Sequence, residues 1–192
     1  MSARSAQPRR MLRRSTAVAV TCVLAALLAG CAPPATAPPS PTSTAIFASE
    51  EEALAAATDV YQQYTAAFDK ESAGGGGGNA VDSIRPLVTD DYLDDLMEPG
   101  MLETNGWHTE GVTSFDSVSL VEAKGLDQSA EVRVRLCRDV SKVRVLDAAG
   151  KDVTPPSRAS RFPVEVLFVS SAPGSAELLI AETGSWSGED FC

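Results

Sequence analysis

Near Thr113 the apolar residues stop recurring at steps of three and four and begin to alternate, and this switch restricts the chain to helices followed by a sheet. Before it, Leu54, Ala57, Tyr61, Tyr64 and Phe68 make one helical stripe. Ser49-Glu50-Glu51-Glu52 marks where that helix starts, with serine at the cap, glutamate three residues on, and acids at the positive end of the helix dipole. The pattern predicts a helix from about Ser49 to Lys70. Gly74 to Gly78 ends it, because glycine loses more backbone freedom in a regular element than any other residue. A phosphate-cradling loop needs a strand before the glycines and Gly-Lys-Ser/Thr after them, whereas this run ends Gly-Asn-Ala. It reads as a flexible connector over residues 72–80.

Two shorter helices are predicted next. Val81, Ile84, Leu87 and Val88 carry the first, which Pro86 shortens or kinks; Tyr92, Leu93, Leu96 and Met97 carry the second, capped by Thr89. Pro99-Gly100 and Asn105-Gly106 mark breaks. A first strand holds Phe115, Val118, Leu120 and Val121 and ends at the turn Gly125 to Gln128. In a second, Val132, Val134 and Leu136 alternate with Arg133, Arg135 and Cys137, as one buried and one wetter face require. Val143, Val145 and the turn Ala148 to Lys151 suggest a short hairpin-like excursion. Phe162 to Ser170 and Ala176 to about Thr183 complete the set. The predicted fold is α+β, with amino-terminal helices packed against a curved antiparallel sheet of about four to five strands.

The amino terminus has a different character. Arg4, Arg9, Arg10, Arg13 and Arg14 stand in a segment without Asp or Glu, and an uncharged stretch from Ser15 to Gly30 follows. Basic region then apolar region is the order of a signal peptide. The strongly apolar part, Ala17 to Ala29, is shorter than the ~20 residues of a membrane-spanning helix. It ends Leu28-Ala29-Gly30-Cys31, which resembles the lipobox of bacterial lipoproteins: an aliphatic residue, two small residues that let the peptidase approach, and an obligatory cysteine. That resemblance implies removal of residues 1–30, acyl lipid such as palmitate on Cys31, and attachment to the outer face of the cytoplasmic membrane. Two or three chains on one cysteine anchor stably where a single chain does not. The competing reading is a secreted protein cleaved elsewhere, with Cys31 an ordinary linker residue.

From Ala32 to Ala45 the chain is almost entirely Ala, Pro, Ser and Thr, with Pro33, Pro34, Pro38, Pro39 and Pro41. Residues 31–45 are thus a lipidated cysteine and a spacer; extended as polyproline II at ~3.1 Å per residue, it reaches up to ~40 Å from the membrane. Residues 46–192 form a single α+β domain.

Removing residues 1–30 leaves 11 Lys+Arg against 26 Asp+Glu, a formal charge of −15. So acidic a surface repels nucleic acid and anionic head groups, so nucleic acid is excluded as a partner and membrane contact is assigned to lipid. With Cys22 in the signal and Cys31 the lipid site, Cys137 and Cys192 remain, and outside the cytoplasm such a pair is expected to be a disulfide. Two thiols and the single histidine, His108, are too few for zinc without a carboxylate.

The helix-then-meander order over roughly residues 46–186 resembles the nuclear-transport-factor-2-like superfamily, the cone-shaped fold shared with scytalone dehydratase and ketosteroid isomerase. Cystatin-like and other helix-on-sheet folds share the order. Enzymes of the superfamily place acid, base or Tyr residues at the cone mouth, and the resemblance directs attention to His108 beside Trp107, Asp116, Tyr61 and Tyr64. No spacing among them matches a catalytic signature, and His108 is placed in a polar loop, Asn105 to Gly111. Asp90, Asp91, Asp94 and Asp95 are interrupted by Leu93 at helical spacing, unlike the alternating ligands of a calcium loop. The sequence contains no Gly-x-Ser-x-Gly, His-Glu-x-x-His or Cys-x-x-Cys. No catalytic residue, metal or cofactor is assigned.

Arg133 and Arg135 share a strand face, with Arg138 just beyond and Arg144 on the next segment. They are candidates, with His108, for receiving a carboxylate ligand or an acidic partner segment. The plainer reading is cross-strand pairing with Glu165 or Glu122. Three functions stay open: a non-catalytic envelope lipoprotein binding a small ligand or a protein, an isomerase- or dehydratase-type enzyme in a cone pocket, and a structural subunit dimerising through the open sheet face.

Overall fold

The structure, a computed structural model, describes residues 45–74, 81–126 and 128–192. The signal segment, Cys31, all of the linker before Ala45 and the glycine run after Gly74 lie outside these residues. Helix α1 spans Glu50–Ala73. Ser49 caps it as the sequence predicts, its Oγ accepting from the Glu52 N–H at 3.2 Å. Glu52 reaches back one residue further than the usual reciprocal bond, its carboxylate accepting from the Ala48 N–H at 2.7 Å. The buried side of α1 includes Ala53, Ala57, Tyr61 and Tyr64, with Leu54 and Phe68 half-buried beside them.

The next two apolar clusters are helical, as predicted. Helix α2 is a single turn, Val81–Ile84, which passes into a 3-10 turn over Arg85–Leu87 where Pro86 denies the backbone its donor. Helix α3 covers Asp90–Met97, and Thr89 Oγ1 accepts from the Tyr92 N–H at 3.3 Å. Between the two turn signals lies a further helix, α4, Met101–Asn105, which is too short to show a period in sequence. The Glu103 carboxylate closes its start by accepting from Gly100 N–H at 3.0 Å, and Gly106 ends it in the left-handed region at φ 64°.

His108 is not in a loop. It opens strand β1, His108–Glu110, which pairs antiparallel with β4, Arg144–Leu146, in a two-stranded sheet of its own. The predicted excursion after Val143 is this β4, closed on itself by a bridge between Leu146 and Asp152. Gly111 follows β1 at φ 120°, and a Cβ there would stand 2.0 Å from the Lys142 carbonyl oxygen, so only glycine lets the two loops meet.

The main sheet has the order β2-β3-β5-β6, all antiparallel: Ser114–Leu126, Ser129–Asp139, Arg161–Ser170 and Leu178–Ser185. One face carries the fully buried Val132, Val134, Leu136, Val166, Phe168 and Ile180 against α1 and its followers. The register shifts between Asp116 and Ser119 and between Leu120 and Glu122, with Ser117 at φ 54°, interrupt β2, where extra residues bend and twist a strand. At the other edge Thr89 N–H donates to the Ile180 carbonyl at 2.9 Å, so the stretch before α3 covers β6. The buried core runs from Ala53 to Ile180, inside a compact unit of residues 41–192 that therefore holds its own core, sheet and disulfide. Among the described residues no helix is long and apolar enough to cross a membrane.

Candidate functional site

On the helix side of the sheet the candidate tyrosines are packed rather than presented. Tyr61 and Tyr64 are 1 % and 4 % exposed; Tyr61 meets Phe115 edge-on at 4.9 Å, and the Tyr64 and Tyr92 hydroxyls lie 3.4 Å apart. Burial pushes both hydroxyls above the ordinary tyrosine range, reinforced by Tyr92 and opposed by the positive charge of Arg138. Arg138 points to this side, its guanidinium 5.6 Å from the Phe68 ring centre. The Tyr61 hydroxyl and Arg138 Nε are buried without hydrogen-bond partners among the described residues.

The other face separates the arginines that the sequence groups together. Arg133 Nη1 donates to Glu165 Oε1 at 2.7 Å across β3 and β5, a bond that holds its pKa above the usual arginine value. With the two side chains 30 % and 26 % exposed, such a pair contributes about 1 kcal/mol at most. Arg135 Nε donates to Ser119 Oγ at 3.1 Å, and its guanidinium lies over the adjoining rings of Trp186 and Phe191, 5.3 and 4.9 Å from their centres. Arg144 pairs with Glu110 across the small sheet at 2.6 Å, with both side chains more than half exposed. Glu122 pairs with Lys124 instead. Arg133, Arg135 and His108 therefore do not converge on one point: the arginines lie on the main sheet and the histidine on the small one.

What covers Arg135 is the carboxyl-terminal tail, held by a disulfide. Cys137, fully buried on β3, and Cys192 are joined with Cα atoms 5.6 Å apart, within the span a disulfide bridges. Arg161 adds a second clasp, donating to the Cys192 carbonyl and to Asp116. The Ser117 hydroxyl and then Arg161 hold the Asp116 carboxyl below the usual carboxylate range. Within the tail, Trp186 Nε1 donates to the Glu189 carbonyl at 3.1 Å, and a Cβ on Gly188 would strike the Trp186 ring at 2.5 Å.

One space that can admit a ligand is on the helical side. A cleft of about 590 Å³ lies between the last turn of α1, α2 and the α3–α4 corner. That volume falls in the ~300–1,000 Å³ range of small-molecule sites. Phe68, Val81, Ile84, Leu93, Leu96 and Leu102 give it apolar walls. Met97 and Met101, 56 % and 68 % exposed, flank it at the Pro99-Gly100 corner. Its charges are the carboxylates of Glu71, Asp82, Asp95, Glu98 and Glu103 and one guanidinium, Arg85. Asp90, Asp91 and Asp94 are exposed along α3 outside it. None of these lining residues except Asp95 stands out as a site in the sequence; the exposed Met-Glu-Pro-Gly-Met run is the one signal there, an apolar pair at a turn that polar residues usually fill.

A scan of protein-family models finds no match to this chain, and neither does a search of curated proteins.

Proposed function

We propose that this protein is a lipid-anchored, extracytoplasmic binding protein, non-catalytic, which takes a small ligand into the cleft between α1 and helices α2–α4. The observation that carries the reading is the cleft: it is the right size, apolar-walled and flanked by methionines, whose unbranched side chains adapt to varied apolar shapes. The lining favours binding over catalysis, because Tyr61, Tyr64 and His108, the groups an isomerase or dehydratase would use, lie elsewhere. The outer sheet face carries the Arg133–Glu165 pair and the pinned tail, which argues against homodimers formed through that face. The element order supports placing the domain with the nuclear-transport-factor-2-like superfamily. Export is supported by the basic-then-apolar leader ending at Cys31 and by the Cys137–Cys192 bridge, since structural disulfides persist outside the cytoplasm.

Two measurements test this. Cys31→Ala is expected to move the protein from the membrane fraction to the soluble fraction, or to leave it as uncleaved precursor, while mass spectrometry of the wild-type terminus finds acylated Cys31. An unmodified wild-type terminus well downstream of Cys31 removes the anchor. For the cleft, the neutral apolar dye N-phenyl-1-naphthylamine should fluoresce with the wild-type domain. Met97→Trp, which puts an indole into the cleft from an exposed position, should abolish most of that signal; an unchanged signal places the dye, and the ligand site, elsewhere.

A further inference from the structure

Met97 and Met101 put two oxidisable sulfurs on the lips of the cleft. Met97 ends α3 and Met101 opens α4, on either side of the Glu98-Pro99-Gly100 corner that lines the same space. The chain has four methionines, and Met1 and Met11 lie in the leader, so the two that remain after its removal both line the cleft. Neither belongs to the buried core. At 56 % and 68 % exposed, both side chains are open to a small oxidant in solvent. Export, which the leader supports, also takes them away from the cytosolic thiol pool.

Oxidation changes what a ligand meets there. A two-electron peroxide oxidant transfers one oxygen atom to the thioether sulfur, the rest of the peroxide leaves as water or alcohol, and the flexible apolar side chain becomes a polar sulfoxide. With the cleft empty, water solvates the new S=O group and the fold loses nothing. An apolar ligand that covers the lip strips that water away, and neither it nor Leu93, Leu96 and Leu102 on the walls supplies a donor in return, so affinity falls.

We propose that Met97 and Met101 are a paired oxidation site through which peroxide weakens ligand capture by the cleft. The proposal rests on the cleft being the ligand site, and it adds the regulation of that site. A thiol-dependent reductase resets it, the sulfoxide oxygen leaving as water while two thiols join as a disulfide.

The test uses the domain of residues 41–192, which holds its own core, sheet and disulfide. Hydrogen peroxide is added until peptide mass spectrometry finds one extra oxygen on each methionine, and is then removed. N-phenyl-1-naphthylamine should bind this domain about tenfold or more weakly than the unoxidised one. The melting temperature and far-ultraviolet circular dichroism should stay unchanged, because neither sulfur is packed in the core. Met97→Gln/Met101→Gln, a permanent polar replacement, should weaken dye binding without peroxide. Met97→Leu/Met101→Leu sets its own baseline, which the same peroxide treatment should leave unmoved. Full conversion to sulfoxide with dye affinity unchanged overturns the proposal and leaves the cleft as a binding site. Methionines that stay unoxidised where free methionine is converted overturn it as well. So does an equal loss of dye in the peroxide-treated leucine variant, which assigns the effect to another residue, or a melting temperature lowered by several degrees, which is damage to the fold. No dye signal with the unoxidised domain overturns the cleft reading together with this proposal.

Discussion

Reducing the Cys137–Cys192 bridge, or replacing either cysteine by alanine, is expected to destabilise the domain by about 4 kcal/mol and to lower its melting temperature by ~10 °C or more. The bridged residues are 55 apart in sequence, and closing so long a loop removes much conformational freedom from the unfolded chain. The folded state contributes as well, because the bridge fixes a terminus that would otherwise fray. Its release frees Trp186 and Phe191 from Arg135 and takes the Cys192 carbonyl from Arg161. The loss of structure should therefore be visible locally before the domain melts: the Trp186 environment, read by near-ultraviolet circular dichroism, changes on reduction at temperatures where the far-ultraviolet signal persists. Both thiols reacting with a maleimide in unreduced folded protein, or a melting temperature unmoved by reductant, would contradict this.

The fold was legible where one physical signal dominated. The Ser49 cap and the Ala57-Tyr61-Tyr64 stripe specify α1 because capping and burial agree, and β3 is legible because Val132, Val134 and Leu136 alternate with polar neighbours. Elements too short to hold a period escaped. α4 has five residues and β1 three, and each is stabilised by partners distant in sequence or by its caps: β1 by β4, α4 by Glu103 and Gly106. This is also why His108, just after the Asn105-Gly106 turn signal, reads as a loop residue although it lies opposite Leu146 in a ladder.

The candidate site was less legible, for a different reason. Alternation places Arg133 and Arg135 on one strand face, but it does not say that Trp186 and Phe191 will lie over Arg135, because that contact depends on where a distant tail returns. Arg138 lies one step past the end of the expected pattern and faces the helices. The cleft is further still from sequence reasoning: it is the space between α1, α2, α3 and α4, whose mutual packing no local pattern encodes. The disulfide was recoverable because it needed only counting, with two cysteines left once the leader and the lipid site are assigned.

Tyr61 separates a packed tyrosine from a working one. Tyr61→Ala should cost about 4 kcal/mol, as for other large buried aromatics, since it empties the contact between α1 and Phe115. Tyr61→Phe should be neutral or stabilising by up to ~1 kcal/mol, because the hydroxyl it removes is buried without a hydrogen-bond partner among the described residues. The pH dependence gives a second readout. Tyr61 and Tyr64 have hydroxyl pKa values raised by burial, so below about pH 10 folded and unfolded chains both keep these protons and stability is complete. Above pH 10 the unfolded chain releases protons that the folded chain retains, and stability falls as the pH rises. Tyrosinate absorbance near 295 nm from these two residues should therefore appear together with unfolding, and Tyr61→Phe should move the alkaline midpoint upward by removing one of the two groups. A Tyr61→Phe protein that melts several degrees lower, or a Tyr61 that ionises near pH 10 with the fold intact, would mean that its hydroxyl is engaged or solvent-facing, and would return it to the list of groups a cone-pocket enzyme could use.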